Sequence, residues 1–189
     1  MADYFGFVSI PSDGTRTFNP YAMATKNIAC PGTSGTRTIV ELSMYCYSGG
    51  GTPGHARIAI YKSSDDTLVC QGSAEILVSS TSPGWDNCKH TTFTDSVGDA
   101  IASPELTVGQ NYWLFMSTDS SDVLTAYDNG SSGDTYYTTG DLTNGFPASG
   151  SGLRGSEWAQ VFGLRCGLYV APSGLSIPLV QSIYRRRRI

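Results

Sequence analysis

The sequence predicts an all-β protein, an antiparallel β-sandwich of the jelly-roll type. About ten short segments of strand character are separated by turns every 8 to 12 residues, and no helical period is visible. Charged residues make up only 15% of the 189 residues, while Gly, Ser and Thr are abundant, which is typical of short strands joined by tight turns. A chain of this length predicts one domain, with or without terminal arms.

The third observation is the segment at residues 106–119, around which we expect the other strands to pack. A turn at residues 108–110 leads into a run of large apolar side chains. Because side chains alternate along a strand, both of its faces are apolar, and a strand covered on both faces is central. One face carries Tyr112, Leu114 and Met116, and the other carries Trp113, Phe115 and Ser117.

Residues 1–20 are predicted to form an N-terminal arm or a first strand, because they are too apolar for a free tail. Their apolar side chains are Tyr4, Phe5, Phe7, Val8 and Ile10. A turn at residues 11–14 follows. The sandwich domain is then expected to span residues 21–170, beginning with a short strand at residues 23–28.

The next strands are predicted from alternation. Residues 38–47 place Val40, Leu42, Met44 and Cys46 on one face, and Glu41, Ser43, Tyr45 and Tyr47 on the other. Strands at residues 55–62, with Ile58 and Ile60 facing inward, and at residues 68–79, bent at Gly72, come next. A turn at residues 82–84 then precedes a strand at residues 85–93.

After the central segment, short strands are expected at residues 123–128 and 135–138. The Gly/Ser/Asn-rich residues 139–156 predict a surface loop that packs through Leu142, Phe146 and Leu153. Residues 157–170 predict the last core strand, and its inward register is Phe162, Leu164, Cys166, Leu168 and Val170.

Residues 171–189 are interpreted as a C-terminal docking tail with a basic end. Four of the 12 Lys and Arg residues lie there, so the rest of the chain has 8 against 16 Asp and Glu, a net charge of −8. We expect the tail to dock on a neighbouring subunit, its apolar residues buried and its arginines paired with carboxylates. The predicted contact residues are Leu175, Ile177, Leu179, Ile183, Tyr184, Arg185, Arg186, Arg187 and Arg188.

Composition also bears on partners and compartment. An acidic body predicts no nucleic-acid partner, and the absence of a long apolar run predicts no membrane span. No secretion signal is recognised, so we expect use without export. The five cysteines form no metal-ligand spacing, and buried free thiols are favoured over disulfides; Cys70 with Cys88, or Cys46 with Cys166, are the candidate bridges.

No catalytic motif surrounds His55 or His90, so we predict neither enzymatic activity nor a cofactor. Asp128, Asn129 and Asp134 are the best candidates for calcium ligands, but turn-capping roles are favoured and no metal is predicted. Aromatic side chains near loops could instead stack on sugars. This possible glycan platform comprises Tyr127, Tyr136, Tyr137 and Phe146.

The order of motifs also resembles a known module. Successive segments read RIAIYKSSDDTLVCQGSAE, PGW, LTVGQNYWLFMSTDSSDVLTAYDNG, YYTTGDLTNGFP and GLRCGLYV. Over residues 36–170 they look like a β-sandwich module of tailed-bacteriophage virion structural proteins, also seen in microbial surface proteins. The resemblance implies a non-enzymatic capsid decoration (cement) protein or tail component in the virion. Its partners would be its own copies and capsid or tail subunits; the alternative is a carbohydrate-binding adhesion module for host glycans.

Overall fold

A computed structural model describes residues 2–7, 9–17, 21–25, 28–131, 135–139, 141–153 and 155–170. Over these ranges the chain forms eighteen strands. They are β1 (Ala2–Gly6), β2 (Gly14–Thr17), β3 (Tyr21–Thr25), β4 (Ile28–Ala29), β5 (Thr36–Ser48), β6 (Gly54–Lys62), β7 (Leu68–Gly72), β8 (Ile76–Val78), β9 (Gly84–His90), β10 (Phe93–Thr94), β11 (Ala100–Ile101), β12 (Glu105–Thr107), β13 (Asn111–Thr118), β14 (Val123–Asn129), β15 (Thr135–Thr139), β16 (Ser156–Trp158), β17 (Gln160–Phe162) and β18 (Leu164–Tyr169).

The strands form two antiparallel sheets. The first sheet has the order β1-β18-β5-β14-β17, with β9 and β12 also paired to β5 and β2 paired to β14. The second sheet has the order β11-β10-β7-β6-β13-β3-β15-β16, with β4 paired to β13 and β8 to β6. The predicted all-β sandwich is therefore confirmed, whereas jelly-roll connectivity stays a prediction.

The main core lies between the two sheets. The first sheet contributes Leu42, Met44 and Leu164, all fully buried, and the second contributes Ile58, Ile60, Leu114 and Met116. Apolar burial of this kind contributes about 25 cal/mol per Å² and is the main force that holds the sheets together. All five cysteines are buried with free thiols, which is the arrangement favoured from the sequence.

The central strand is confirmed. β13 pairs with β6 on one side and with β3 on the other, and its residues from Tyr112 to Thr118 are all buried. Its first face lies in the main core, while Trp113 and Phe115 lie in a second apolar cluster on the other side of the sheet. The predicted loop at residues 139–156 covers that cluster with Phe146 and Leu153.

Backbone and side-chain hydrogen bonds tie the covering loop to the sheet. Tyr61 donates its hydroxyl to the carbonyl of Pro147 at 2.6 Å, and the Phe146 N–H donates to Oε1 of Gln71 at 2.7 Å. Farther along, the Leu142 N–H donates to Oγ of Ser117 at 2.9 Å. The loop therefore acts as an extra layer over the second sheet.

Residues 2–6 and 14–17 form two strands of the first sheet, so the described part of residues 1–20 follows the first-strand alternative and not the arm. β1 pairs with β18 over five residues, from Ala2 opposite Tyr169 to Gly6 opposite Arg165. The side chain of Phe5 is buried in the main core, and β2 pairs with β14. The first sheet thus includes strands from both ends of the described chain.

Three further expectations are corrected. Residues 157–170 form three strands in two different sheets, and Val170 is 37% exposed because it lies beyond the end of β18. Residues 85–93 also divide, since β9 joins the first sheet and β10 the second. The segment 68–79 forms β7 and β8, both of which pair with β6.

The inward register of β5 also differs at its beginning. Leu168 pairs with Ile39 and Gly167 with Glu41, so Val40 is the extra residue of a β-bulge. A bulge reverses the side-chain alternation on one side of it. Ile39 therefore enters the core in place of Val40, which is only partly buried.

Candidate functional site

The predicted docking tail lies outside the described residues. This applies to every predicted contact: Leu175, Ile177, Leu179, Ile183, Tyr184, Arg185, Arg186, Arg187 and Arg188. The chain leading to the tail is described, and it ends in exposed apolar surface. Tyr169 is 52% exposed and Val170 is 37% exposed at the end of β18.

The predicted glycan platform is not assembled. Tyr127 lies in the first sheet against Phe162, with ring centroids 5.9 Å apart. Tyr136 and Tyr137 lie in the second sheet, and as neighbours in one strand they pack on different apolar clusters. Phe146 is 1% exposed beneath its own loop, so its inclusion in an exposed platform is wrong.

The structure instead brings aromatic side chains together on the outer face of the first sheet. Arg165 of β18 lies between two rings, with its Cζ 4.1 Å from the ring centroid of Tyr4 in β1 and 4.1 Å from that of Trp85 in β9. Tyr45 of β5 then meets Trp85 edge to face at 5.4 Å. A continuous row of stacked side chains thus crosses four strands.

A carboxylate holds the guanidinium of Arg165 in this row. Arg165 donates through Nε to Oγ of Ser43 at 3.0 Å, and its terminal nitrogen lies 3.4 Å from Oε1 of Glu41. The Tyr4 hydroxyl donates to Oε2 of the same glutamate at 3.2 Å. Partial burial, and then the charge of Glu41, raise the pKa of Tyr4, so its hydroxyl stays protonated at neutral pH.

A groove of about 210 Å³ opens beside this row. It is lined by Pro11, Ser12, Gly14, Thr15, Tyr45, Tyr47, Pro83 and Ala126. Tyr45 and Tyr47 are two residues apart in β5, so they point to the same face, with Cα atoms roughly 7 Å apart. Tyr45 packs closely over Gly163, where an added Cβ would lie 2.8 Å from the Cβ of Tyr45 and 3.2 Å from Cγ of Pro11.

Hydrogen bonds fix the two turns that form the walls of the groove. On the Pro11 side, Oδ1 of Asp128 accepts the N–H of Ser12 at 2.6 Å, and Oδ2 of Asp13 accepts the N–H of Asn129 at 2.7 Å. On the Pro83 side, the amide of Asn87 donates to the carbonyls of Ser82 and Cys46, at 2.7 and 2.6 Å. The groove is therefore preformed.

Asp128, a candidate calcium ligand, accepts the N–H groups of Ser12 and Asp13 in a distant turn, which differs from the local hairpin cap favoured from the sequence. Asp134, the third candidate ligand, lies outside the described residues. In the part of the chain that the structure describes, no group of three or more His, Cys, Asp or Glu side chains is placed to hold a metal ion. Over the same ranges, no helix is long and apolar enough to span a membrane.

A separate polar cluster lies at the N-terminal end of β6. Nδ1 of His55 is 2.7 Å from Oδ2 of Asp119, which raises the pKa of His55 above its usual value, and Nε2 lies 4.0 Å from Oε1 of Glu75. Arg57, on the same face of β6, is 8% exposed, and its Nε has no hydrogen-bond partner among the described residues.

His90 has the opposite environment. Its side chain is 4% exposed in the main core, and burial lowers its pKa to about 4, so the imidazole is neutral at pH 7. Nε2 of His90 lies 3.9 Å from Sγ of Cys88. The two histidines therefore lie in different environments, one half-exposed beside carboxylates and one buried.

The residues of the groove could be predicted only in part from the sequence. Tyr45 and Tyr47 follow from the alternation of residues 38–47, which places them on the outer face. Trp85, Arg165 and Pro11 were missed because they join that face only through pairing between distant strands. No protein-family model matches the chain, and no curated protein is significantly similar to it.

Proposed function

We propose that this chain is a non-enzymatic virion structural protein of a tailed phage, acting as a capsid decoration protein or a tail component. Its mechanism is contact: a rigid sandwich carries a terminal segment that binds a neighbouring subunit. Repeated, symmetric contacts make individually modest interfaces durable. The alternative, a carbohydrate-binding adhesion module, cannot use the glycan platform predicted from the sequence. Its four residues, Tyr127, Tyr136, Tyr137 and Phe146, do not form one surface.

The observation that supports this proposal is the distribution of apolar surface and charge at the end of β18. Tyr169 and Val170 are exposed there, and the sequence continues directly into the apolar and basic residues of the tail. The residues before the tail carry a net charge of −8, from 8 Lys and Arg against 16 Asp and Glu. A neighbouring copy therefore offers carboxylates to the four terminal arginines.

The experiment measures the mass of the purified protein by light scattering. Three chains are compared: the full-length protein, a truncation that lacks residues 173–189, and a variant with serine at positions 185–188. We expect the full chain to form an oligomer and the truncation to be monomeric. The serine variant should associate more weakly than the full chain at low salt and respond little to added salt, because only its apolar contacts remain, whereas the full chain should dissociate more readily as salt rises. An oligomer that survives the truncation would refute the role of the tail.

A second measurement addresses the virion directly. Antibody against the recombinant chain should detect it in purified particles from a host that produces them, in a fixed ratio to the major capsid or tail protein. A chain found only in the soluble lysate would contradict the structural role, whatever its oligomeric state.

A further inference from the structure

The groove on the outer face of the first sheet combines two chemical properties. Its lining includes the aromatic residues Tyr45 and Tyr47 and the apolar rings of Pro11 and Pro83, together with the hydroxyl-bearing Ser12 and Thr15. Sugars present the same two properties, since a pyranose has an apolar face of C–H groups and an edge of hydroxyls. We propose that this groove binds a neutral glycan. The proposal does not rest on the virion assignment.

The hydroxyl groups of the groove are available to a ligand. Within the described ranges, no hydrogen bond joins the hydroxyl of Tyr45 or Tyr47 to another side chain, and the ring of Tyr45 meets Trp85 edge to face. Both tyrosines are half-buried, so one part of each ring packs on the protein while the remainder faces the groove. A sugar that stacks there can also exchange hydrogen bonds with the phenol groups.

The charges near the groove favour a neutral glycan over an acidic one. All eight lining residues are uncharged. The turn at the Pro11 wall carries the carboxylates of Asp13 and Asp128. On the other side, Asp86 is paired with Lys89, and Arg165 with Glu41, so these pairs add little net charge. A uronic acid or sulfated sugar would meet like charges at this rim, on a protein body that is itself acidic.

The size and rigidity of the groove define how the glycan would bind. Its volume of about 210 Å³ is smaller than an enclosed small-molecule pocket, which typically measures ~300–1,000 Å³. It therefore suits one ring of a longer chain that runs across the sheet. Because Asp128 and Asn87 fix both walls, little conformational entropy is lost on binding.

The test uses the full-length protein in affinity electrophoresis and calorimetry against a panel of soluble neutral polysaccharides (a glucan, a mannan and a galactan), with alginate as the anionic comparison. We expect retardation by at least one neutral polymer and none by alginate. Tyr47→Ala should weaken binding about tenfold by removing one stacking ring. Thr15→Trp should abolish it by filling the groove from an exposed position.

Tyr136→Ala is the matched control, because Tyr136 is also a half-buried strand tyrosine but lies in the second sheet against Trp113. It should leave binding unchanged, and thermal unfolding confirms that each variant folds. Retardation that Tyr47→Ala and Thr15→Trp leave intact would overturn the site, as would failure of every neutral polymer to bind. Binding of a peptide of residues 171–189 in the groove, blocked by Thr15→Trp, would also overturn it by identifying the tail as the occupant.

Discussion

Acidification should destabilise this protein through His90, well before its carboxylates become protonated. His90 is neutral in the core, where burial lowers its pKa to about 4, whereas an unfolded histidine titrates near 6.5. Between these values the unfolded chain binds a proton that the folded chain does not. The free energy of unfolding therefore falls as the pH falls through this window, and it is unaffected by His90 above about pH 6.5.

The magnitude follows from the gap between the two pKa values. The folded and unfolded pKa values of His90 differ by about 2.5 units. At ~1.36 kcal/mol per unit, this difference corresponds to about 3 kcal/mol of unfolding free energy. That is a large share of the typical ~5–15 kcal/mol stability of a domain. This loss of unfolding free energy should be nearly complete at pH 4.

Other titrating groups act in different windows. Asp119 raises the pKa of His55, so the stabilisation from that pair is fully present at acid pH and is lost as the pH rises through its folded value. Hydrogen bonds lower the pKa of Asp65 and of Asp86 below the usual 3.8, so any stabilisation they provide is lost only below that pH. The interval from pH 6.5 to 4 is therefore dominated by His90.

Urea unfolding at half-unit steps from pH 7.5 to 4.5 measures this effect. His90→Gln should flatten the pH dependence in the acid interval, even if it lowers stability at pH 7 by disturbing the packing on Cys88. His55→Gln is the matched control and should keep the acid loss. NMR titration should show His90 neutral down to about pH 5. Titration of His90 near 6.5, or equal acid slopes in the wild type and His90→Gln, would refute the reasoning.

Three further outcomes are expected from the packing. Phe146→Ala should cost about 3–5 kcal/mol in urea unfolding because it empties the space under the covering loop, and a neutral effect would mean that the ring is not buried. Arg165→Lys should cost about 1 kcal/mol by losing the flat stack on Tyr4 and Trp85 while keeping the charge near Glu41; wild-type stability would show that stacking contributes nothing. The five buried thiols should not react with Ellman's reagent until the protein is unfolded, since burial raises the pKa of Cys46 to about 12; rapid reaction of the native protein would contradict that burial.

Local periodicity predicted which segments are extended, but not where each strand ends or which strands pair. The two apolar faces of β13 identified it as a doubly covered strand, because that pattern is contained in eight consecutive residues. The anchoring of the covering loop by Phe146 and Leu153 was also predicted from local sequence, because large apolar residues in a polar segment are normally buried. The same rule argues against Phe146 as an exposed platform residue.

What could not be predicted depends on register between distant strands. The bulge at Val40 arises from pairing with Gly167 and Leu168, more than a hundred residues away. The change of sheet between β9 and β10 is invisible in residues 85–93, which read as one strand. The groove, likewise, exists only because Pro11, Tyr45 and Pro83 are brought together by three separate pairings.

The pairing of β1 with β18 also dictates when the first sheet can be completed during synthesis. Ala2 has its partner in Tyr169, so β1 must wait for nearly the whole described chain to be translated before it can join its neighbour. Until then β1 has no strand to pair with, so Phe5 is not held in the main core, and the edge of β5 that β18 later covers is unpaired. The nascent chain therefore exposes an unpaired strand that carries Phe5, which is a natural binding site for a chaperone. Slowing translation near residue 160 should prolong that exposure and increase aggregation.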